Sequence, residues 1–241
     1  YKVRAEEGIS QFPLPFEIED PLLWHGTETP HLYTMTVTLT DGNLTDAVST
    51  RIGIRHYSAS AASGFSLNGK SYPLRGVVLY RDRSTYGPVA GKAHLAEDID
   101  LICEMGANAV RVAGGTHSRE FYDLCDERGI IVLSDSPFVG SPTLDAKGFY
   151  DTPDFRRNGR QQLEEMIMQL YKHPSGLFWG IFSEPELRGD DPIPYIRELN
   201  DLAKSLDPSR PTVGISNKDG EVNTVTDMIV WNQTLGWIEG R

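Results

Sequence analysis

The chain has 241 residues, an unremarkable apolar fraction of 39% and a formal net charge of −11, so it can bury one large core, or a medium core and a small one. A surplus of carboxylate excludes nucleic acid and anionic membrane as partners, because both reward clustered Lys and Arg. A neutral or polar small molecule fits better.

Two cysteines, Cys103 and Cys125, sit inside apolar-periodic helical stretches, where a reduced thiol behaves as a small hydrophobe. Neither a disulfide nor a metal site is indicated. No apolar run approaches the ~20 residues of a membrane helix, and Tyr1-Lys2-Val3-Arg4 does not read as a signal peptide. No compartment is read from that.

Residues 1–58 read as strands. Leu32 to Thr40 alternates with period two, and Asp41-Gly42-Asn43 supplies turn chemistry before a further strand. A strand pair on a sandwich is the natural reading, and since an immunoglobulin-type sandwich needs ~100 residues the segment counts as half of one. Ala59-Ser60-Ala61-Ala62-Ser63-Gly64 has the composition of a short linker, which puts the domain boundary there.

Beyond it, strands alternate with helices, the pattern of a parallel sheet covered by helices. The predicted strands are Tyr72–Leu79, Ala109–Val112, Ile130–Ser134, Leu177–Phe182, Thr212–Ile215 and Met228–Trp231; the helices are Leu95–Glu104, Ser118–Glu127, Phe155–Tyr171 and Tyr195–Ser205. Ser118 is positioned to cap the second helix and Gly129 to close it. The expected fold class is α/β: a partial (β/α)8 TIM barrel over residues 64–241, short of the eight strand–helix pairs of a whole one, preceded by part of an immunoglobulin-like β-sandwich. A doubly wound sheet competes, but no Gly-rich phosphate loop follows the first strand.

Several strings, in order, carry a resemblance. They are Asp20-Pro21-Leu22-Leu23-Trp24 with Pro30-His31-Leu32-Tyr33, Ile52-Gly53-Ile54-Arg55, Phe65 to Lys70 with Leu74-Arg75-Gly76-Val77, Asp98 to Arg111, Phe121 to Gly129, His173-Pro174-Ser175, and Trp179 to Glu184. Together they resemble glycoside hydrolase family 2, which includes β-galactosidases and β-glucuronidases. The resemblance implies a retaining β-glycosidase acting on an oligosaccharide or glycoside, with no cofactor; a homo-oligomer is compatible with it. Such enzymes place two carboxyl groups ~5–5.5 Å apart around the glycosidic bond, one protonating the leaving oxygen and one attacking the anomeric carbon.

By resemblance Glu184 is the acid/base, since it follows an apolar strand and would project from the C-terminal face, where barrel enzymes keep their chemistry. The bland alternative is a solvated loop carboxylate beside Pro185-Glu186. The family's nucleophile is expected beyond residue 241, Glu239 being an exposed loop residue, so this chain alone is expected not to turn over. Arg111, Ser183, Asp135, Asn232 and Trp237 are the expected substrate-binding residues. Arg111 as a rim salt bridge, and Trp179 as core rather than a sugar platform, are the competing readings.

Departures from the family pattern cluster on the same face. Ser183 stands for an asparagine that would bond the sugar 2-hydroxyl, Gly114-Gly115-Thr116 for His-Tyr-Pro, Tyr80 for a histidine, Asp135 for a glutamate and Thr234 for a tyrosine. His117 is a replacement for the lost histidine, or an exposed residue at a helix mouth. A non-catalytic carbohydrate-binding relative of the same fold is therefore the second reading, and a purely structural domain the third. No cluster has metal-ligand spacing.

Overall fold

The computed structural model describes residues 1–4, 6–84, 87, 91–140 and 148–233. Its first strands are short or solvated: β1 (Trp24–His25), β2 (Thr29–Pro30), β3 (Tyr33–Asp41), β4 (Leu44–Ile52), β5 (Tyr57–Ser60), β6 (Gly64–Leu67) and β7 (Lys70–Ser71). After them come β8 (Gly76–Leu79), α1 (Lys92–Glu104), β9 (Ala109–Val112), α2 (Arg119–Arg128), β10 (Ile131–Asp135), α3 (Pro153–Leu170), β11 (Gly176–Ser183), α4 (Ile193–Leu206), β12 (Thr212–Ser216) and β13 (Met228–Trp231).

Strands β3 and β4 form a hairpin in which Asp41 faces Leu44 across the two-residue turn Gly42-Asn43. Gly42 has φ 57°, the positive φ that short hairpin turns require and glycine adopts freely. Period two puts Tyr33, Met35, Val37 and Leu39 on one face, with Val48 opposite Val37 and Ile52 opposite Tyr33. Val37, Leu39 and Val48 remain exposed, so the far end of this face has no covering layer among the described residues.

The second part is a six-stranded parallel sheet in the order β8-β9-β10-β11-β12-β13. One side packs under the helices: Ile99 and Ile102 of α1, Phe121 and Tyr122 of α2, Leu163 and Ile167 of α3, and Ile196 and Leu199 of α4 bury against Val110, Val132 and Ile181. Each such aliphatic side chain contributes roughly 1.5–3 kcal/mol on burial. The other side buries Ile131, Phe178, Val213 and Ile215 with Trp24, Leu67 and Tyr72. Above that plug it lines a cavity of about 380 Å³ bounded by Val78, Arg111, Leu133, Ile215 and Val230. This is the partial barrel expected, with β8 and β13 as its edges among the described residues and Val78, Val230 and Trp231 exposed along them.

All six expected strands and four helices form, with three local corrections. Residues 59–64 are not a linker: Ala59 pairs with Phe65 and Ser60 with Gly64, so they are the tip of an antiparallel hairpin. The first barrel strand begins at Gly76 rather than Tyr72, because Pro73 has no N–H for a ladder. Asn108 takes over instead, its amide donating to Pro73 O at 2.9 Å while its carbonyl accepts from Arg75 N at 2.7 Å. Ser118 is the N-cap of α2 by position, yet its side chain makes no cap hydrogen bond.

The strand-rich segment grips the N-terminal end of the parallel sheet. Trp24 Nε1 donates to Asp126 O at 2.9 Å and Tyr57 Oη to Ser209 O at 2.5 Å. Arg55 donates to Pro174 O at 2.5 Å and Gly176 O at 3.0 Å; burial first, then Arg210, lowers its guanidinium to about 10. Arg210 reaches the same Gly176 carbonyl at 2.6 Å, pairs with Asp207 at 2.5 Å, and stacks between Tyr171 and Trp179. Gly53 lies so close to Pro174 that a Cβ there would stand 2.7 Å from its ring.

Gly129, which ends α2 at φ 74°, is constrained twice, since a Cβ would also lie 2.1 Å from Gly26 O. Gly129→Ala should therefore cost roughly 2–4 kcal/mol, from left-handed strain plus the backbone shift. A fall in the urea midpoint would register it; an unchanged midpoint would mean that residues 26–27 do not pack here.

Candidate active site at the C-terminal rim

Residues that end neighbouring parallel strands share one face, and the strand ends β9, β10, β11 and β13 bring five of the expected site residues onto it. Arg111 leaves β9 toward Asp135, the last residue of β10, donating from Nε at 3.1 Å and Nη2 at 2.6 Å. The same Nη2 donates to Ser183 Oγ at 2.8 Å, so one guanidinium ties β9, β10 and β11 together. Asp135 is 1% exposed and the Arg111 side chain 14%. Burial pushes the Asp135 carboxyl up from the usual carboxylate range, and Arg111 and the Gly114 backbone act against that rise without cancelling it. Gly180 makes room for this pair, since a Cβ there would lie 2.8 Å from Asp135 Oδ1.

Glu184 follows β11 directly. Its φ is 47°, an uncommon conformation for a residue other than glycine, and the neighbours over-determine it. Glu184 N donates to Ile215 O at 2.8 Å, while Ser183 donates to Phe138 O at 2.9 Å and accepts from Gly140 N at 2.8 Å. A Cβ at Gly140 would stand 1.9 Å from Glu184 O, so only glycine lets the two loops meet. Strain held by surrounding structure is a reason to look for chemistry at that residue. The next acid, Glu186, is engaged elsewhere: Arg188 bonds it at 2.8 Å and holds its carboxyl down at about 2. Lys218 reaches across to Pro185 O at 3.0 Å.

Asn232, the first residue beyond β13, donates from Nδ2 to Glu184 Oε1. It thus joins the group through the glutamate itself, a contact that nothing in the spacing of the two residues announces. Trp237 and Thr234 lie outside the described residues. Trp179 is core: it is fully buried, donates to Asp207 at 3.1 Å and lies under Arg210. Tyr80 is exposed. His117 is neither open nor in the Arg111 cluster. It stacks on Phe121, its Nδ1 accepts from Ser118 N at 2.8 Å, and burial, with Arg81 adding to it, lowers its pKa.

The fold also brings together three residues that spacing does not connect, Asp123, Asp126 and His173. They lie away from the rim, where α2 ends and β11 begins. His173 Nδ1 bonds Asp126 Oδ2 at 2.6 Å, Ser175 N donates to Asp126 Oδ1 at 3.0 Å, and Lys172 stands 3.6 Å from Asp123. These hydrogen bonds make Asp126 and His173 a buried brace, with Asp123 partly exposed beside them.

Residues 60–239 match the family described as glycosyl hydrolases family 2, TIM barrel domain, and residues 2–55 match the description glycosyl hydrolases family 2. The chain is 45% identical over 225 residues to a β-glucuronidase of Bacteroides fragilis, covering 93% of this chain and 32% of that protein. Among solved structures it is similar to an FMN-binding β-glucuronidase from Facaelibacterium prausnitzii, with a TM-score of 0.84, 33% identity, and coverage of 92% of this chain and 34% of the other. It is also similar to the Parabacteroides merdae β-glucuronidase, with a TM-score of 0.83, 27% identity, and coverage of 92% and 28%. The chain thus spans about a third of the length of these relatives.

Removing Asp135 would leave Arg111 as an uncompensated, largely buried charge, so Asp135→Ala should cost about 3–5 kcal/mol, read by chemical denaturation. The pH dependence has a definite sign. A raised carboxyl binds its proton more tightly in the folded chain than in the unfolded one. Its contribution to stability is complete below the ordinary aspartate value and is lost as pH rises through the raised value. Asp135→Asn should remove that slope from a plot of urea midpoint against pH; a slope retained in the variant would mean that another group produces it.

Proposed function

The chain belongs to glycosyl hydrolases family 2, and from that membership we propose that the protein is a retaining β-glycosidase in which Glu184 is the acid/base. The observation that carries the reading is the placement of Glu184 at the C-terminal end of β11, in a strained backbone conformation, one residue beyond the Arg111–Asp135–Ser183 cluster. In the first step Glu184 gives its proton to the leaving oxygen as a carboxylate attacks the anomeric carbon. In the second it takes a proton from the water that releases the sugar. We assign no nucleophile among the described residues, because Asp135 is committed to Arg111. The names of the relatives support a β-glucuronide as the first substrate to try, ahead of galactosides.

The organisation follows the same reading: residues 1–58 as the end of a sandwich domain and residues 64–241 as part of the barrel, which the separate matches to residues 2–55 and 60–239 support. The open edges β8 and β13 and the bare end of the β3–β4 hairpin favour self-association of these residues when they stand alone.

One observation favours the second reading, a carbohydrate-binding relative without turnover. Ser183 is short and its oxygen already accepts from Arg111, so it has less to offer a sugar hydroxyl than an amide would. The two readings separate in an assay of the full-length protein with nitrophenyl β-glucuronide, galactoside, mannoside and glucoside, alongside Glu184→Gln. Hydrolysis that falls about 10²–10⁴-fold in the variant supports the enzyme. Saturable sugar binding without hydrolysis in either form supports the binding module.

A further inference from the structure

Two adjacent residues of β12 hold both partners of one contact at the rim. Ile215 O accepts from Glu184 N at 2.8 Å, and Ser216 O accepts from Asn232 N at 2.9 Å. The backbones of Glu184 and Asn232 are thereby fixed to successive carbonyls of the same strand, from opposite sides, and the Asn232 amide closes the bridge by donating to Glu184 Oε1. The charged groups nearby are otherwise engaged: Lys218 with Pro185 O, Arg188 with Glu186, and Arg111 with Asp135.

We propose that Asn232 is a positioning residue for Glu184, holding Oε1 so that Oε2 is the oxygen that faces the sugar and carries the proton. The proposal rests on the reading of Glu184 as the acid/base. It replaces the expectation, from resemblance alone, that Asn232 binds substrate.

The chemistry suits an amide. A carboxyl group that alternates between acid and base must be oriented in both states. Oε1 accepts a hydrogen bond equally as the carbonyl oxygen of the acid and as an oxygen of the carboxylate, whereas a lysine here would hold the group in its charged form. With Oε1 occupied, the O–H bond at Oε2 breaks as the glycosidic C–O electron pair moves onto the leaving oxygen, which receives the proton. In the return step a water O–H bond breaks, its proton goes to Oε2, and the water oxygen bonds the anomeric carbon as the bond from that carbon to the attacking carboxylate breaks and its electron pair returns to that carboxylate.

The test compares leaving groups in the full-length protein. Departure of a phenol needs the proton from Glu184; departure of 2,4-dinitrophenol does not. For Asn232→Ala, kcat/KM should fall about tenfold or more with a phenyl β-glycoside and stay within about twofold with the dinitrophenyl glycoside of the same sugar. Should that variant fold poorly, Asn232→Asp keeps the shape and replaces the donor with a carboxylate, and the same selectivity should appear. Equal losses on both substrates, expressed in KM, would make Asn232 a sugar contact and overturn the proposal while leaving Glu184 as the acid/base. A wild-type protein inactive on every substrate would instead remove the acid/base reading, and this proposal with it.

Discussion

The rim depends on how β11 is held. Every residue of this strand is buried, from Gly176 to Ser183, and both its ends are clamped by hydrogen bonds rather than by packing alone. At the start, Arg55 and Arg210 converge on the Gly176 carbonyl from two parts of the chain. At the finish, Arg111 bonds Ser183, and the residues flanking Val139 bond Ser183 on both sides of its peptide. A strand fixed at both ends has little freedom to slide, and a shift of about 1 Å is enough to spoil catalytic geometry. The buried arginines are costly to desolvate and are retained where carbonyls and carboxylates meet them in good geometry.

The layered part of the fold was legible because its signals are periodic. Ala109–Val112, Thr212–Ile215 and the faces of α2 and α4 read correctly from alternation, apolar spacing and the glycine at residue 129. The failures share a different cause. Residues 59–64 are small and polar, and a hairpin tip has the same composition as a linker; only the pairing of Ala59 with Phe65 separates the two. Ser118 occupies a cap position, but its side chain makes no cap hydrogen bond, and position alone does not decide where a hydroxyl turns.

The candidate site was legible in part, as a set of residues that share one rim. Glu184, Arg111, Ser183 and Asp135 came from short strings of residues, and the hydrogen bonds among Arg111, Asp135 and Ser183 give them a common geometry. What could not be read was partnership across long separations. Asn232 and Glu184 are 48 residues apart, and Asp126 and His173 are 47. Asn232 and Glu184 meet because parallel strands return the chain to the same level of the sheet, and Asp126 and His173 because the end of α2 lies against the turn that leads into β11; such meetings depend on tertiary packing rather than on local composition.

The grip of Arg55 on Pro174 and Gly176 has a consequence for how the chain acquires its fold. The partners lie 119 and 121 residues apart, so during synthesis the early segment must wait for more than a hundred further residues before its arginine has anything to bond. Contacts of such separation slow folding, because chain closure is entropically costly before the contact stabilises it. In that interval the indole of Trp24, fully buried in the folded chain, stands in solvent, which makes the newly emerged segment a natural client for a chaperone.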